Sequence, residues 1–205
     1  EYELEKIDIR LLQLASISFD VFVGDICRSI LNGGKMVICP NNVKLDVQSL
    51  YKLLKQNKIS ILEGTPALLL SLYNEIITKK LDFSFLKIFI FGSDSFNNQD
   101  FLSIRNQFGN SIKVINSYGV TEATIDSTFF DDEIIDFNGT TPIGKPFSNS
   151  KIYIGSKNKL SPIGIYDKLY ISGSGLSRGY LNKPELTREK FIANPFEEGT
   201  KMYDT

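Results

Sequence analysis

The sequence of 205 residues contains no histidine and only two cysteines. Without histidine there is no Ser-His-Asp triad, no imidazole general base and little scope for zinc chemistry. Any chemistry must come from carboxylates, lysines, hydroxyls, backbone amides or an external metal. Cys27 and Cys39 have no metal-ligand spacing. One sits in an apolar, helix-like run and the other ends a strand-like run, so both are expected to be small buried hydrophobes in a reducing cytoplasm. Neither sign of charge dominates: 23 Lys and Arg face 24 Asp and Glu, a net charge of −1. Nothing there drives nucleic-acid binding. No apolar run approaches the ~20 residues of a membrane span, and the opening EYELEKIDIR is not a signal peptide. There is no internal repeat and no low-complexity tract. The expectation is a cytoplasmic protein with neither nucleic acid nor membrane as partner.

What is present is a composition normal for globular domains, 42% hydrophobic and 23% charged. The length suits one large domain or a domain plus a smaller piece. Between residues 17 and 116 helix-like and strand-like segments alternate. Helical patterns cover 17–31, 46–56, 66–79 and 98–108, with Pro66 at a first-turn position it tolerates. Short apolar strands are expected at 35–39, 59–62, 86–91 and 112–115. Such alternation implies right-handed crossovers and a parallel sheet covered on both faces. The fold class is therefore α/β, a flavodoxin-like parallel sheet with flanking helices. A smaller β-rich segment follows, with antiparallel strands at 151–155 and 168–172 about the turn Ser161-Pro162-Ile163-Gly164, and a short helix at 184–191. The boundary between an α/β subdomain (1–135) and the β-rich segment (136–205) is placed near residue 135.

Ligands on parallel sheets sit at the carboxyl ends of the strands. Three polar clusters fall there: Glu63-Gly64-Thr65, Gly92-Ser93-Asp94-Ser95 and Asn116–Glu122. Gly92-Ser93-Asp94 fits either a helix N-cap or backbone contact with a nucleotide. The spacing of Gly173, Gly175 and Gly179 departs from the dinucleotide fingerprint and fits an irregular, glycine-permitted loop. Glu63 and Asp126 stand among apolar neighbours, where a carboxylate needs a cation or hydrogen bonds unless it lies on a solvated rim.

Three motifs in order resemble the adenylation domains of nonribosomal peptide synthetases, within the adenylate-forming ligases. They are SISFDVFVGDICRSILNGGKMVI, Asn116-Ser117-Tyr118-Gly119-Val120-Thr121-Glu122 (with Val120 where proline is usual) and SGSGLSRGYL. The ending MYDT is similar to the start of a Tyr-Arg-Thr-Gly-Asp motif, with Asp204 in place of arginine. The resemblance covers essentially the whole chain and implies ATP and AMP as ligands. Tyr118 would stack on adenine, Thr121 would bond the α-phosphate and Glu122 would bind Mg²⁺. Gly92, Ser93, Asp94, Asn116, Ser117 and Gly119 would line the adenylate. It also implies an amino-acid substrate, a phosphopantetheine thiol on a carrier domain, and neighbouring carrier and condensation domains. The phosphate loop, the hinge and the catalytic lysine of such domains are not in this sequence, so the chain alone is expected to be inactive.

The resemblance further implies a substrate pocket made of Asp20, Val21, Gly24, Glu63, Ile90, Gly92, Ser117, Ile125 and Asp126. Asp20 would hold the α-ammonium. Glu63 and Asp126 remain, with no lysine or arginine in the set. That favours a cationic side chain: ornithine first, lysine second. The alternatives are an acyl- or aryl-CoA ligase, which has no use for Asp20, and a non-catalytic fold that binds adenylate or amino acid.

Overall fold

The computed structural model describes residues 2–132, 139–156 and 158–205. The chain forms two compact units, Glu1–Ser117 with Phe130–Gly144, and Tyr118–Phe129 with Lys145–Thr205. The boundary expected near residue 135 lies outside the described residues.

The first unit is built on five strands, β1 (Arg10–Gln13), β2 (Lys35–Ile38), β3 (Ile61–Gly64), β4 (Ile88–Phe91) and β5 (Lys113–Tyr118). They run parallel in the order β2-β1-β3-β4-β5. That is the flavodoxin-like order the alternating pattern implied. The helices between them are α1 (Val21–Ser29), α2 (Asn41–Lys44), α3 (Val47–Asn57), α4 (Pro66–Thr78) and α5 (Asn98–Phe108). Local chemistry sets their ends. Asp46 accepts from the Gln48 amide to cap α3 at 3.3 Å, and Asn97 accepts from the amides of Gln99 (2.8 Å) and Asp100 (3.3 Å) to cap α5. Pro66 opens α4. β4 is buried along its whole length, as a central parallel strand must be. Its Phe89 and Phe91 join Phe83, Phe96 and Phe101 in an aromatic core, with Phe91 stacked on Phe96 at 4.4 Å.

Four expectations change. Strand β1 lies ahead of the segment where alternation was read; with two leucines in four residues it carries little periodicity. The first helix begins at Val21 rather than residue 17. It buries Gly24, Asp25, Arg28 and Ser29, so its polar side faces inward. Cys27 is consequently exposed, while Cys39 is buried as expected. The polar cluster at Asn116–Glu122 is not all loop: Asn116, Ser117 and Tyr118 complete β5.

Strand β6 (Thr128–Phe130) has its first two residues in the second unit, and these, Thr128 and Phe129, pair antiparallel with β7 (Lys145–Pro146). The second unit holds a further sheet, which comprises β8 (Ser150–Ser156), β9 (Lys159–Leu160), β10 (Lys168–Gly173), β11 (Phe191–Ala193) and β12 (Lys201–Asp204), ordered β11-β12-β10-β8-β9. The two strands expected here pair antiparallel, with Ile171 opposite Ile152. Helix α6 (Pro184–Lys190) precedes β11. Four of the five residues of the terminal KMYDT form β12, whose Asp204 is buried and paired with Lys168. Tyr170, Ile171, Phe191, Met202 and Tyr203 form the unit's core.

Candidate functional site

In the first unit the carboxyl ends of β3, β4 and β5 bring four of the expected pocket residues onto one face. Glu63 is in register with Ile90, and Ile90 with Ile115. Side chains repeat every second residue along a strand, so Gly92 and Ser117 share that face. Gly92 has no side chain for a local reason. A Cβ there would stand 2.7 Å from the Ser117 hydroxyl and 3.9 Å from Glu63 Oε1. A larger residue would fill the space that these two polar groups border. Beyond Gly92, Ser93 has a left-handed φ of 65°, while Ser93 and Asp94 are exposed. The Asp94 carboxylate accepts from the Ser95 amide at 2.7 Å.

Helix α1 supplies the other wall. Asp20 stands at its N-cap position but makes no side-chain cap bond. Its Oδ2 is buried with no hydrogen-bond partner among the described residues. An N-cap aspartate ordinarily spends its carboxylate on the first-turn amides; this one leaves an oxygen for something else. Val21 is half-buried and Gly24 is buried. One turn on, Arg28 pairs with Glu63, and its Nη2 lies 3.7 Å from Asp25 Oδ1. Asp25, Arg28 and Glu63 are 2%, 8% and 6% exposed. Glu63 is therefore not a solvated rim carboxylate. Nor does it lack a cation: the neutralising arginine stands outside the expected set of nine. Among the described residues, Asp25 and Glu63 both lie beside the Arg28 guanidinium.

In the second unit the segment from Tyr118 to Asp126 is a tight, strained turn. Thr121–Ala123 forms a single 3₁₀ turn, and Thr124 and Ile125 both adopt left-handed φ, 60° and 70°. Such a conformation is costly for β-branched residues and marks a constrained site. The chain then folds back on itself. Ser127 N donates to Tyr118 O at 2.8 Å, and a Cβ on Gly119 would meet Ile125 O at 1.7 Å. Only glycine fits at 119.

The segment SGSGLSRGYL braces this turn. Ser177 N donates to Glu122 O at 2.8 Å, and Thr124 Oγ1 to Gly175 O at 2.5 Å. A Cβ on Gly175 would lie 2.8 Å from Ala123 O. The Tyr180 hydroxyl donates to Glu122 Oε1 at 2.5 Å and lies 3.3 Å from that of Tyr203. Burial pushes the Glu122 carboxyl upward. The bond from Tyr180, backed by its own backbone amide, Tyr203 and Lys190, outweighs burial, and the net shift is below the ordinary value. Burial and the neighbouring carboxylate push the Tyr180 hydroxyl up, and burial raises that of Tyr118. The half-buried Glu122 is thus an ionised, oriented carboxylate, which suits a hard cation held jointly by one carboxylate and phosphate oxygens. Among the described residues no cluster of three or more His, Cys, Asp or Glu could hold a metal by itself.

The sequence matches the family of AMP-binding enzymes over residues 2–181. The chain belongs to that family. It is 47% identical to gramicidin S synthase 2 of Brevibacillus brevis and 48% identical to bacitracin synthase 2 of Bacillus licheniformis, in each case over 100% of this chain. It spans only 5% and 8% of those synthases. Among solved structures it superposes on the nonribosomal peptide synthetase FmoA3 with a TM-score of 0.85 at 26% identity, covering 96% of this chain and 21% of that one. An AMPPNP-bound form of FmoA3 matches equally well. No helix among the described residues is long and apolar enough to cross a membrane.

Within this member of the AMP-binding family, the first unit gathers Glu63, Ile90, Gly92 and Ser117 on one sheet face and sets Asp20, Val21 and Gly24 along α1. Tyr118, Gly119, Thr121, Glu122, Ile125 and Asp126 lie in the braced turn. Asn116 is buried, and its Nδ2 donates to Pro142 O at 2.9 Å. Arg28, Gly175, Ser177 and Tyr180 were absent from the expected site. The motif holding the last three was visible, but its contact with Glu122 spans 58 residues and has no local signature.

Proposed function

We propose that the chain is the core of an amino-acid adenylation domain that uses ATP to convert ornithine, with lysine as second choice, to an aminoacyl-AMP. The parent synthetase would then pass the acyl group to a carrier-domain phosphopantetheine thiol. The observation that carries this reading is Asp20, a carboxylate at a helix start with a buried oxygen that no described residue satisfies. An α-ammonium is its natural complement. A CoA ligase acting on an acid without an amine would leave it uncompensated.

The buried Glu63 supports a second ammonium: its Oε1 borders the space above Gly92 on the face it shares with Ser117. Ile90 and Gly92 leave apolar space for the methylenes. One methylene is worth only ~1–3 kcal/mol, so some lysine should be accepted. Tyr118 stacks on adenine, Thr121 bonds the α-phosphate and Glu122 holds Mg²⁺, with Tyr180 fixing that carboxylate. The ion would neutralise phosphate charge. The names of the relatives, synthases of gramicidin S and bacitracin, and the AMPPNP-bound neighbour agree with this reading.

The test is amino-acid-dependent ATP–pyrophosphate exchange by the complete adenylation domain, scanned over all amino acids. Ornithine should lead and lysine follow. Glu63→Gln should lower kcat/KM for ornithine by ~10- to 150-fold, the cost of one charge-assisted hydrogen bond, and affect norvaline little. Asp126→Asn should act in the same direction and non-additively. An unchanged ornithine-to-norvaline ratio in both variants would refute the ornithine assignment.

A further inference from the structure

Helix α1 contradicts the usual economy of an amphipathic helix. It buries Asp25 and Arg28 and leaves Val23 54% exposed. Taking charges out of water is expensive, so the arrangement needs a reason. Arg28 is held on three sides: it pairs with Glu63, lies beside Asp25, and its guanidinium carbon sits 5.6 Å from the centre of the Tyr2 ring. A planar guanidinium fixed in this way has one orientation. The bond to Glu63 is made through Oε2. The other oxygen, Oε1, is the one that faces the position of a Cβ on Gly92.

We infer that Arg28 is a positioning residue for substrate selection, holding Glu63 so that its Oε1 meets the side-chain ammonium of a cationic amino acid at Gly92. This rests on the adenylation reading above and extends its specificity set to a residue one turn along the helix from Gly24. Arg28 does not touch the substrate. It aims the carboxylate through the bond to Oε2. Around Glu63, Arg28 bonds it directly, Asp25 lies beside that guanidinium, and Ile90, Gly92 and Ser117 border it from β4, the turn after β4 and β5.

The decisive measurement is the ornithine-to-norvaline ratio of kcat/KM in the complete domain for wild type, Arg28→Gln, Glu63→Gln and the double variant. In Arg28→Gln the ratio should fall roughly ten-fold or more. The double variant should be no worse than Glu63→Gln alone, because both changes remove one interaction. If Arg28→Gln slows both substrates equally while Glu63→Gln still shifts the ratio, Arg28 is scaffold only and the inference fails. If Glu63→Gln leaves the ratio unchanged as well, the ornithine reading falls and takes this one with it. Should Arg28→Gln not fold, Arg28→Lys decides. Its compact ammonium keeps the charge but lacks the planar fork. A ratio below wild type supports positioning, and an unaltered ratio overturns it.

Discussion

Tyr180 shows how much of a site can depend on one hydroxyl far away in sequence. It holds Glu122 by a short bond and helps keep that carboxyl below its ordinary value. Tyr180→Phe should therefore raise KM for MgATP roughly three- to ten-fold, a charge-assisted bond discounted for partial exposure, and leave KM for the amino acid unchanged. Steady-state kinetics with each substrate varied in turn would check this. The same change has a pH signature. A carboxyl whose folded value is depressed contributes stability above its unfolded value and loses it as pH falls through the folded one. The stability difference between wild type and Tyr180→Phe should be present at neutral pH and shrink on acidification through the carboxylate range, as urea unfolding at a series of pH values would show. At this scale the sequence was half legible. Glu63 and Asp126 could be singled out as carboxylates among apolar neighbours, and Asp20 through the family resemblance. Arg28 and Tyr180 could not, because their partners lie 35 and 58 residues away.

Among the elements, those with strong periodicity or caps were readable. Helix α5 spans the expected residues, with Asn97 before it and Gly109 after it. Helix α1 misled because its apolar residues were assumed to face inward, whereas an ion cluster takes that side. The loop expected at 116–118 is strand because the ladder from β4 continues through Asn116 opposite Phe91. The turn after it should be the most fragile element. Gly119→Ala would drive a methyl into the Ile125 carbonyl and part the two backbones that Ser127 and Tyr118 join. Overpacking of this kind costs about 1–3 kcal/mol. It should also disturb Thr121 and Glu122, so nucleotide affinity should fall together with the urea midpoint. By contrast, Phe89→Ala should cost about 3–5 kcal/mol through cavity formation with no selective effect on either ligand. If Gly119→Ala leaves nucleotide binding intact, the turn does not carry the adenylate.

For the molecule as a whole, the mostly parallel sheet and the separate antiparallel sheet follow from the alternating and loop-rich halves of the sequence. Colloidal behaviour follows from its charge and its surface. A net charge of −1 gives little mutual repulsion, and Ile163, Tyr166 and Leu181 are among its most exposed large apolar side chains. Replacing Ile163 and Leu181 by lysine at pH 7 would raise the net charge only to +1, so its effect should come from removing apolar surface. The double substitution should reduce concentration-dependent light scattering and move the unfolding midpoint little, since each change at such a position is worth within about 0.5 kcal/mol. Unchanged scattering would point to another surface.

The interruption of the first unit by Tyr118–Phe129 bears on how such enzymes can be recombined. A crossover placed after Ser117 looks natural, because it coincides with the edge of a compact unit, one residue short of the end of β5. It would transplant Asp20, Val21, Gly24, Glu63, Ile90, Gly92 and Ser117 from the donor, along with Arg28, and leave Ile125 and Asp126 to the recipient. If the proposed pocket is right, a graft meant to transfer selectivity would have to run past Asp126, and it would then also have to supply a turn that the recipient's Gly175, Ser177 and Tyr180 can brace.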